Sequence, residues 1–289
     1  DLCSHEGRAL SYHAKHDLFF INGLYHHVTG DLMNSYIAQK KLMDLTESHP
    51  QRIHEQPVNY ISVLANYYLI CLLVKKYEEC LHTIKKMRAV FSKSITTRGL
   101  IFRTSYTLEL AFYLRTGEHN KGIFLVKEIE QGIQFYRKQI QDSSLITLYF
   151  AIACLYFGAG DYSHSLLWLN KILNDPVLKN SRTDIICFSQ IMNLIVHFEL
   201  RNADLLHYIV KSTYRYLYKR NRLYKFENSV LSFIRKKLPK ARTNKELVEA
   251  FEELKTELEE ITKDPFEKEA LEYFDFISWA ESKIENRPF

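Results

Sequence analysis

The sequence predicts an all-α fold, a solenoid of stacked helical hairpins, and three observations carry that expectation. A small residue or helix-breaking turn recurs at Gly30-Asp31-Leu32, Lys75-Lys76-Tyr77, Gly117-Glu118-His119, Gly160-Asp161-Tyr162 and Arg201-Asn202-Ala203. The spacings are 45, 42, 43 and 41 residues, and self-similarity at a fixed period in this range marks a repeat array. Amphipathic helical patterns flank every turn. Finally, hydrophobic residues make up 46% and aromatics 13% of the 289 residues, with only nine Gly and six Pro, a composition that permits helices and argues against disorder.

Within each unit a first helix runs up to the turn and a second leaves it. In the first unit the pattern extends from Phe19 to Pro50 around Gly30-Asp31. The second and third units turn at Lys75-Lys76 and Gly117-Glu118. In the fourth, Tyr149 to Tyr156 is apolar on all sides, as expected of a helix touching neighbours on two faces. Gly160 suits a helix end and Asp161 can cap the next helix. Leu166, Leu169, Ile172 and Leu173 follow at helical spacing until Asn174-Asp175-Pro176 stops the run. The fifth unit turns at Arg201-Asn202. Residues 1–220 are thus read as five hairpins of about 42 residues.

Residues 221–289 read differently. Arg222 to Leu238 is predicted as a basic helix stopped by Pro239, and Asn244 to Ile261 as an acidic helix with Leu247, Phe251, Leu254, Leu258 and Ile261 on one face. Pro265 opens a last helix to about Ile284. These helices are expected to cap the array, because an uncapped last repeat would expose an apolar face.

The stretch Leu148 to Pro176 resembles a tetratricopeptide repeat: Ala153 sits at the small crossing position, followed by Tyr156, the Gly160-Asp161-Tyr162 turn, Ser165 at the second small position and Pro176. Phe19 to Pro50 is similar, with Gly23, Gly30, Asp31 and Ser35 in the corresponding places, whereas Tyr68 and Leu110 replace the small residue of the first helix in the second and third units. The resemblance covers roughly residues 15 to 220 and implies a right-handed superhelical solenoid. The family unit is about 34 residues, so helices about one turn longer than the family norm are expected.

Applied to this chain, the positions that line the concave surface of tetratricopeptide proteins are Phe20, Leu24, Ala65, Leu69, Leu72, Ala111 and Leu114, then Phe150, Phe157, Ile191, Ile195 and Phe198. The lysine and asparagines with which some family members clamp a peptide carboxylate have no counterpart. Such a face binds an apolar helix or extended segment, is buried by the curl of the solenoid, or is simple core.

A second candidate is basic. Lys211 to Arg242 carries eleven Lys or Arg and one acid, Glu227, with Lys211, Arg215, Lys219 and Arg222 along one helical stripe and Tyr214, Tyr216, Tyr218 and Tyr224 interleaved. That mixture suits a phosphate backbone with stacked bases. Against it, a solvated or internally paired basic face is the expected arrangement, and with fourteen acids and five bases from Lys245 to Glu285 the acidic helices could fold back to neutralise the stripe.

Other chemistry is sparse. Five cysteines, Cys3, Cys71, Cys80, Cys154 and Cys187, form no C-x-x-C pair and read as buried thiols of a reducing compartment, hence a cytoplasmic protein. Cys3, His5, His13, His16, His26 and His27 cluster near the start without a metal-site spacing, so no metal and no cofactor is expected. No phosphate-binding glycine loop, H-E-x-x-H or G-x-S-x-G occurs, and no enzymatic activity is expected. No apolar run reaches the roughly 18 residues of a membrane span, so no membrane partner is expected. The leading expectation is a scaffold or adaptor binding a protein segment or peptide. The alternative is a ligand- or peptide-sensing regulatory module of a longer protein, suggested by a start that is not Met, with nucleic acid the less favoured partner.

Overall fold

The computed structural model describes residues 9–178, 181–241 and 243–289. Cys3, His5 and Arg242 of the readings above lie outside them. Of the described residues 81% are helical and none is in a strand; sixteen α-helices, with short 3-10 and π segments, make up that share. In chain order these begin with α1 (Tyr12–Val28), α2 (Leu32–Glu47), α3 (Pro50–Glu55), α4 (Pro57–Leu73), α5 (Tyr77–Arg88) and α6 (Ile95–Thr116). There follow α7 (His119–Phe124), α8 (Val126–Tyr136), α9 (Asp142–Gly158), α10 (Tyr162–Leu173), α11 (Thr183–Glu199) and α12 (Ala203–Lys219). The last are α13 (Lys225–Ser232), α14 (Asn244–Ile261), α15 (Pro265–Lys268) and α16 (Phe276–Ile284).

The five turn marks coincide with one backbone conformation. Gly30, Lys75, Gly117, Gly160 and Arg201 all have positive φ, between 57° and 80°, the left-handed cap that ends a helix and redirects the chain. At three of these turns the next residue closes a six-residue ring: Lys76 N–H donates to Cys71 O, Asp161 N–H to Tyr156 O and Asn202 N–H to His197 O, at 2.8–3.0 Å. Asp31 and Asp161 then cap α2 and α10, accepting from the amides of Asn34 and His164.

A second regularity lies twelve residues across each hairpin. Ser35 Oγ donates to Gly23 O at 2.8 Å, and Ser165 Oγ donates to Ala153 O at 2.9 Å. Cys80 Sγ makes the same reach to Tyr68 O at 3.9 Å. A short side chain on the second helix thus grips the backbone of the first at the point of closest approach, which explains the small residues there.

The chain divides into two compact units. The first comprises Asp1–Thr116 and Lys127–Gln141. In it α1 packs on α2, α2 on α4, α4 on α5, and α6 on both α4 and α5. Leu42, Leu64, Tyr68, Cys71, Cys80 and Met87 form its fully buried centre. Polar ties join successive hairpins: Tyr36 donates to Glu79, which also accepts from Tyr67 of its own hairpin, Lys86 and Tyr60 meet Glu47 at 2.7 Å, and Arg88 meets Glu109 at 2.6 Å. Gly132 on α8 lies against the Phe102 ring of α6 with no room for a Cβ.

The second unit comprises Gly117–Val126 and Asp142–Phe289. Here α7 packs on α9, and α9, α10, α11 and α12 follow one another as neighbours, with α9 also touching α11. The stretch expected to be the second helix of a third hairpin is instead two helices, α7 and α8, and α8 from Lys127 on belongs to the first unit.

Three expectations require correction. The added length is not shared by every helix: the first helices α1, α4, α9 and α11 run 17 residues and α6 runs 22, and the second helices α2 and α12 run 16 and 17, but α5 and α10 have only 12. The basic helix expected to end at Leu238 stops at Ser232, and a π-turn, Phe233–Lys237, follows in which Leu238 N–H reaches back to Phe233 O. Pro239 is the physical reason, since its ring clashes with the carbonyl four residues earlier and prevents a regular α-turn there. The last helix is not continuous either: α15 gives way to a 3-10 turn, Glu269–Glu272, and α16 starts afresh because Asp275 caps it by accepting from Ser278 N–H at 2.9 Å.

Candidate partner-binding surfaces

The residues expected to line a concave face have two different fates. In the first unit, Phe20 and Leu24 on α1 and Leu69 on α4 are 40%, 52% and 50% exposed, and Leu72 and Leu114 are half-buried. In the second unit Phe150, Phe157 and Ile195 are buried and Phe198 is half-buried. Of the alternatives left open for this face, burial is the one realised at three of these four residues.

For Phe157 the cover comes from the C-terminal segment, which lies against α9 and α11. Phe157 packs edge-on against Phe274 and Phe289, with ring centroids 5.1 and 5.4 Å apart. Phe188 stacks on Tyr273 at 4.1 Å, and Phe198 meets Phe251 and Trp279 at 6.0 and 6.1 Å. Two charged anchors hold the segment in register. Tyr273 O–H donates to Asp184 Oδ2 at 2.7 Å, and Arg182 pairs with the same carboxylate. Burial opposes ionisation of Asp184, but the hydrogen bonds from Arg182 and Tyr273 outweigh it and hold the carboxyl at about 2. Trp279 Nε1–H and Lys283 Nζ each donate to Glu199 at 2.7 Å.

The aromatic density between Phe266 and Trp279 was the sequence signal for this docking; periodicity alone could not say which face those rings would meet. Sequence reasoning also missed the exposed apolar residues of the first hairpin, Ile21, Tyr25 and Val28 on α1 and Met33 and Ile37 on α2.

The basic stripe is solvated and not paired with the acidic helices. Lys211, Arg215 and Lys219 are exposed on α12 and have no carboxylate partner among the described residues. Arg222 is half-buried, and its charge acts on Glu227. The acidic helix α14 spends its carboxylates elsewhere, for example Glu253 on Lys237 at 2.8 Å and Glu259 on Lys255. Beside the free cations, the exposed rings of Tyr214 and Tyr218 lie parallel, 6.3 Å apart and 8° from coplanar. Tyr216 is covered instead by Arg220, 3.7 Å above its ring.

Among the described residues no group of three His, Cys, Asp or Glu is placed to hold a metal. The histidines of α1 meet nearby side chains, His16 with Asp17 at 3.2 Å and His26 with Asp31 at 3.4 Å. Cys71, Cys80, Cys154 and Cys187 are buried free thiols, and burial pushes each up to about 12, which leaves no thiolate at neutral pH. No helix among the described residues is long and apolar enough to cross a membrane. No family model matches the chain, and comparison with curated proteins and with solved structures finds no match.

Proposed function

We propose that this chain is a non-enzymatic interaction module built from tetratricopeptide-like hairpins, and that the first-helix face of its first unit binds an amphipathic helical segment of a partner protein. The observation that carries this reading is the contrast between the two units. In the second, the corresponding face is filled by the chain's own helical segment, seated through Phe274, Tyr273 and Trp279; in the first, Phe20, Leu24 and Leu69 are left half in water. The repeated turn geometry and the twelve-residue Ser–backbone bond support the family resemblance. Helix-in-groove recognition uses such apolar rows. Four buried free thiols fit a reducing compartment, the cytoplasm.

The test is capture of partners by the full chain and by a Leu24→Glu/Leu69→Glu variant, read by mass spectrometry. Leu24 and Leu69 are 52% and 50% exposed, and matching far-UV circular dichroism and thermal melts are required of the variant before its captured set is compared. Specific proteins held by the wild type are expected to be lost from the variant; an identical set from both overturns the assignment of this face.

A second reading, polyanion binding on α12, is favoured by one observation: Lys211, Arg215 and Lys219 stand free beside the stacked pair Tyr214 and Tyr218. It expects retention of single-stranded RNA that weakens steeply with salt and is lost in Arg215→Glu. Salt-insensitive or absent binding removes it.

A further inference from the structure

A cavity of about 420 Å³ lies where α12 meets the π-turn Phe233–Lys237. Its floor is apolar, with Leu206 and Val210 from α12, Ile234 and Leu238 from the π-turn and its continuation, and Phe198 from α11. Its rim carries two cations, Arg201 and Arg235, with the His207 imidazole beside them; all three are exposed, and neither guanidinium has a carboxylate partner among the described residues. The volume falls within the roughly 300–1,000 Å³ of small-molecule sites, which combine mostly apolar walls with a few polar groups that fix orientation.

Both arginines sit on unfavourable backbone. Arg201 takes φ 57° at a turn position where three of the other four hairpins carry glycine, a conformation that disfavours any residue with a Cβ. Arg235 belongs to a π-turn, a rare geometry that appears frequently at functional sites. A regular α-turn at 233–237 would rotate Ile234 and Arg235 relative to the cavity, and glycine at 201 would remove a rim charge. Two guanidinium forks over an apolar floor match one chemistry, since a planar fork pairs with a carboxylate or sulfonate through two hydrogen bonds while the floor takes the ligand's apolar body.

We propose that this cavity binds a small apolar anion, an acyl or aryl group bearing a single carboxylate or sulfonate, with Arg201 and Arg235 on the charge and Phe198, Val210 and Ile234 on the body. The site stands apart from the first-helix face of the first unit and does not depend on that reading.

The full chain is titrated with 1-anilinonaphthalene-8-sulfonate and, separately, with the uncharged N-phenyl-1-naphthylamine, each followed by fluorescence. Dodecanoate and dodecanol serve as competitors. The sulfonate is expected to bind one saturable site at least about tenfold more tightly than the neutral probe, the ratio that one charge-assisted hydrogen bond supplies. Dodecanoate should displace it and dodecanol should not. Arg235→Gln is expected to weaken the sulfonate about tenfold and leave the neutral probe nearly unchanged. Arg201→Gly provides the folding control, because it relieves the turn while removing the charge: its thermal midpoint should hold or rise as sulfonate affinity falls. Equal affinity for the two probes, absence of saturable binding, or sulfonate binding that survives both variants overturns the proposal, the last because it reports only exposed apolar residues elsewhere.

Discussion

Glu227 is buried at the start of α13, where its carboxylate accepts from Tyr224 N–H at 3.2 Å while Glu267 accepts from the amides of Lys225 and Phe226. Burial pushes Glu227 up to about 7; the backbone hydrogen bond opposes the rise, and the nearby charge of Glu267 adds to it. Because the folded value lies above the ordinary 4.5, the stabilisation attached to the protonated form is fully present below that value and is lost as pH rises through about 7. Glu227→Gln keeps an oxygen for Tyr224 N–H and cannot ionise. Thermal melts across pH should therefore show its midpoint gaining on the wild type between about pH 5 and 8, and parallel curves would refute the burial argument. Asp184 has the opposite sign: held at about 2, it stabilises above the ordinary carboxylate range and fails as acid is added. Neither behaviour was legible in the sequence, because burial of a carboxylate is decided by elements that arrive from elsewhere in the chain. The turn residues were legible even where the residue type was wrong for the job, since Lys75 and Arg201 betray their left-handed backbone by spacing alone.

One helix start was readable from its side-chain cap. Asn244–Ile261 was found to the residue, and Thr243 and Glu246 explain it by forming a reciprocal capping box. The break before α16 was missed because the apolar pattern runs on through Phe274 and Phe276 while the backbone does not. At the same element Trp279 is fully buried, with its indole N–H on Glu199 and its ring between Phe198 and Phe251. Trp279→Ala is expected to destabilise by about 3–5 kcal/mol in urea unfolding. Trp279→Phe, which keeps an aromatic but orphans one bond to Glu199, should cost about 1–3 kcal/mol. A cost below about 1 kcal/mol for the alanine variant would mean that the C-terminal segment is not seated as described.

Across the whole molecule, what the sequence revealed was the helical class and the hairpin period, both local properties. The fate of the apolar face was not local: Phe20 and Phe157 look alike in their own helices, and the second is buried with Phe274 and Phe289 packed on it. The sequence distances involved differ sharply between the units. In the first, the bonds between successive hairpins span about one repeat, 39 positions for Lys86–Glu47 and 43 for Tyr36–Glu79. In the second, Trp279–Glu199, Tyr273–Asp184 and the Tyr273–Cys154 contact span 80, 89 and 119. During synthesis the first unit can therefore zip up hairpin by hairpin as it leaves the ribosome, whereas α9 waits for a strap still to be translated. At about 5–20 residues per second, 119 positions amount to a wait of roughly 6–24 s. For that interval Phe157 and its neighbours are a nascent-chain liability, and the second unit, not the first, is where a ribosome-associated chaperone finds work.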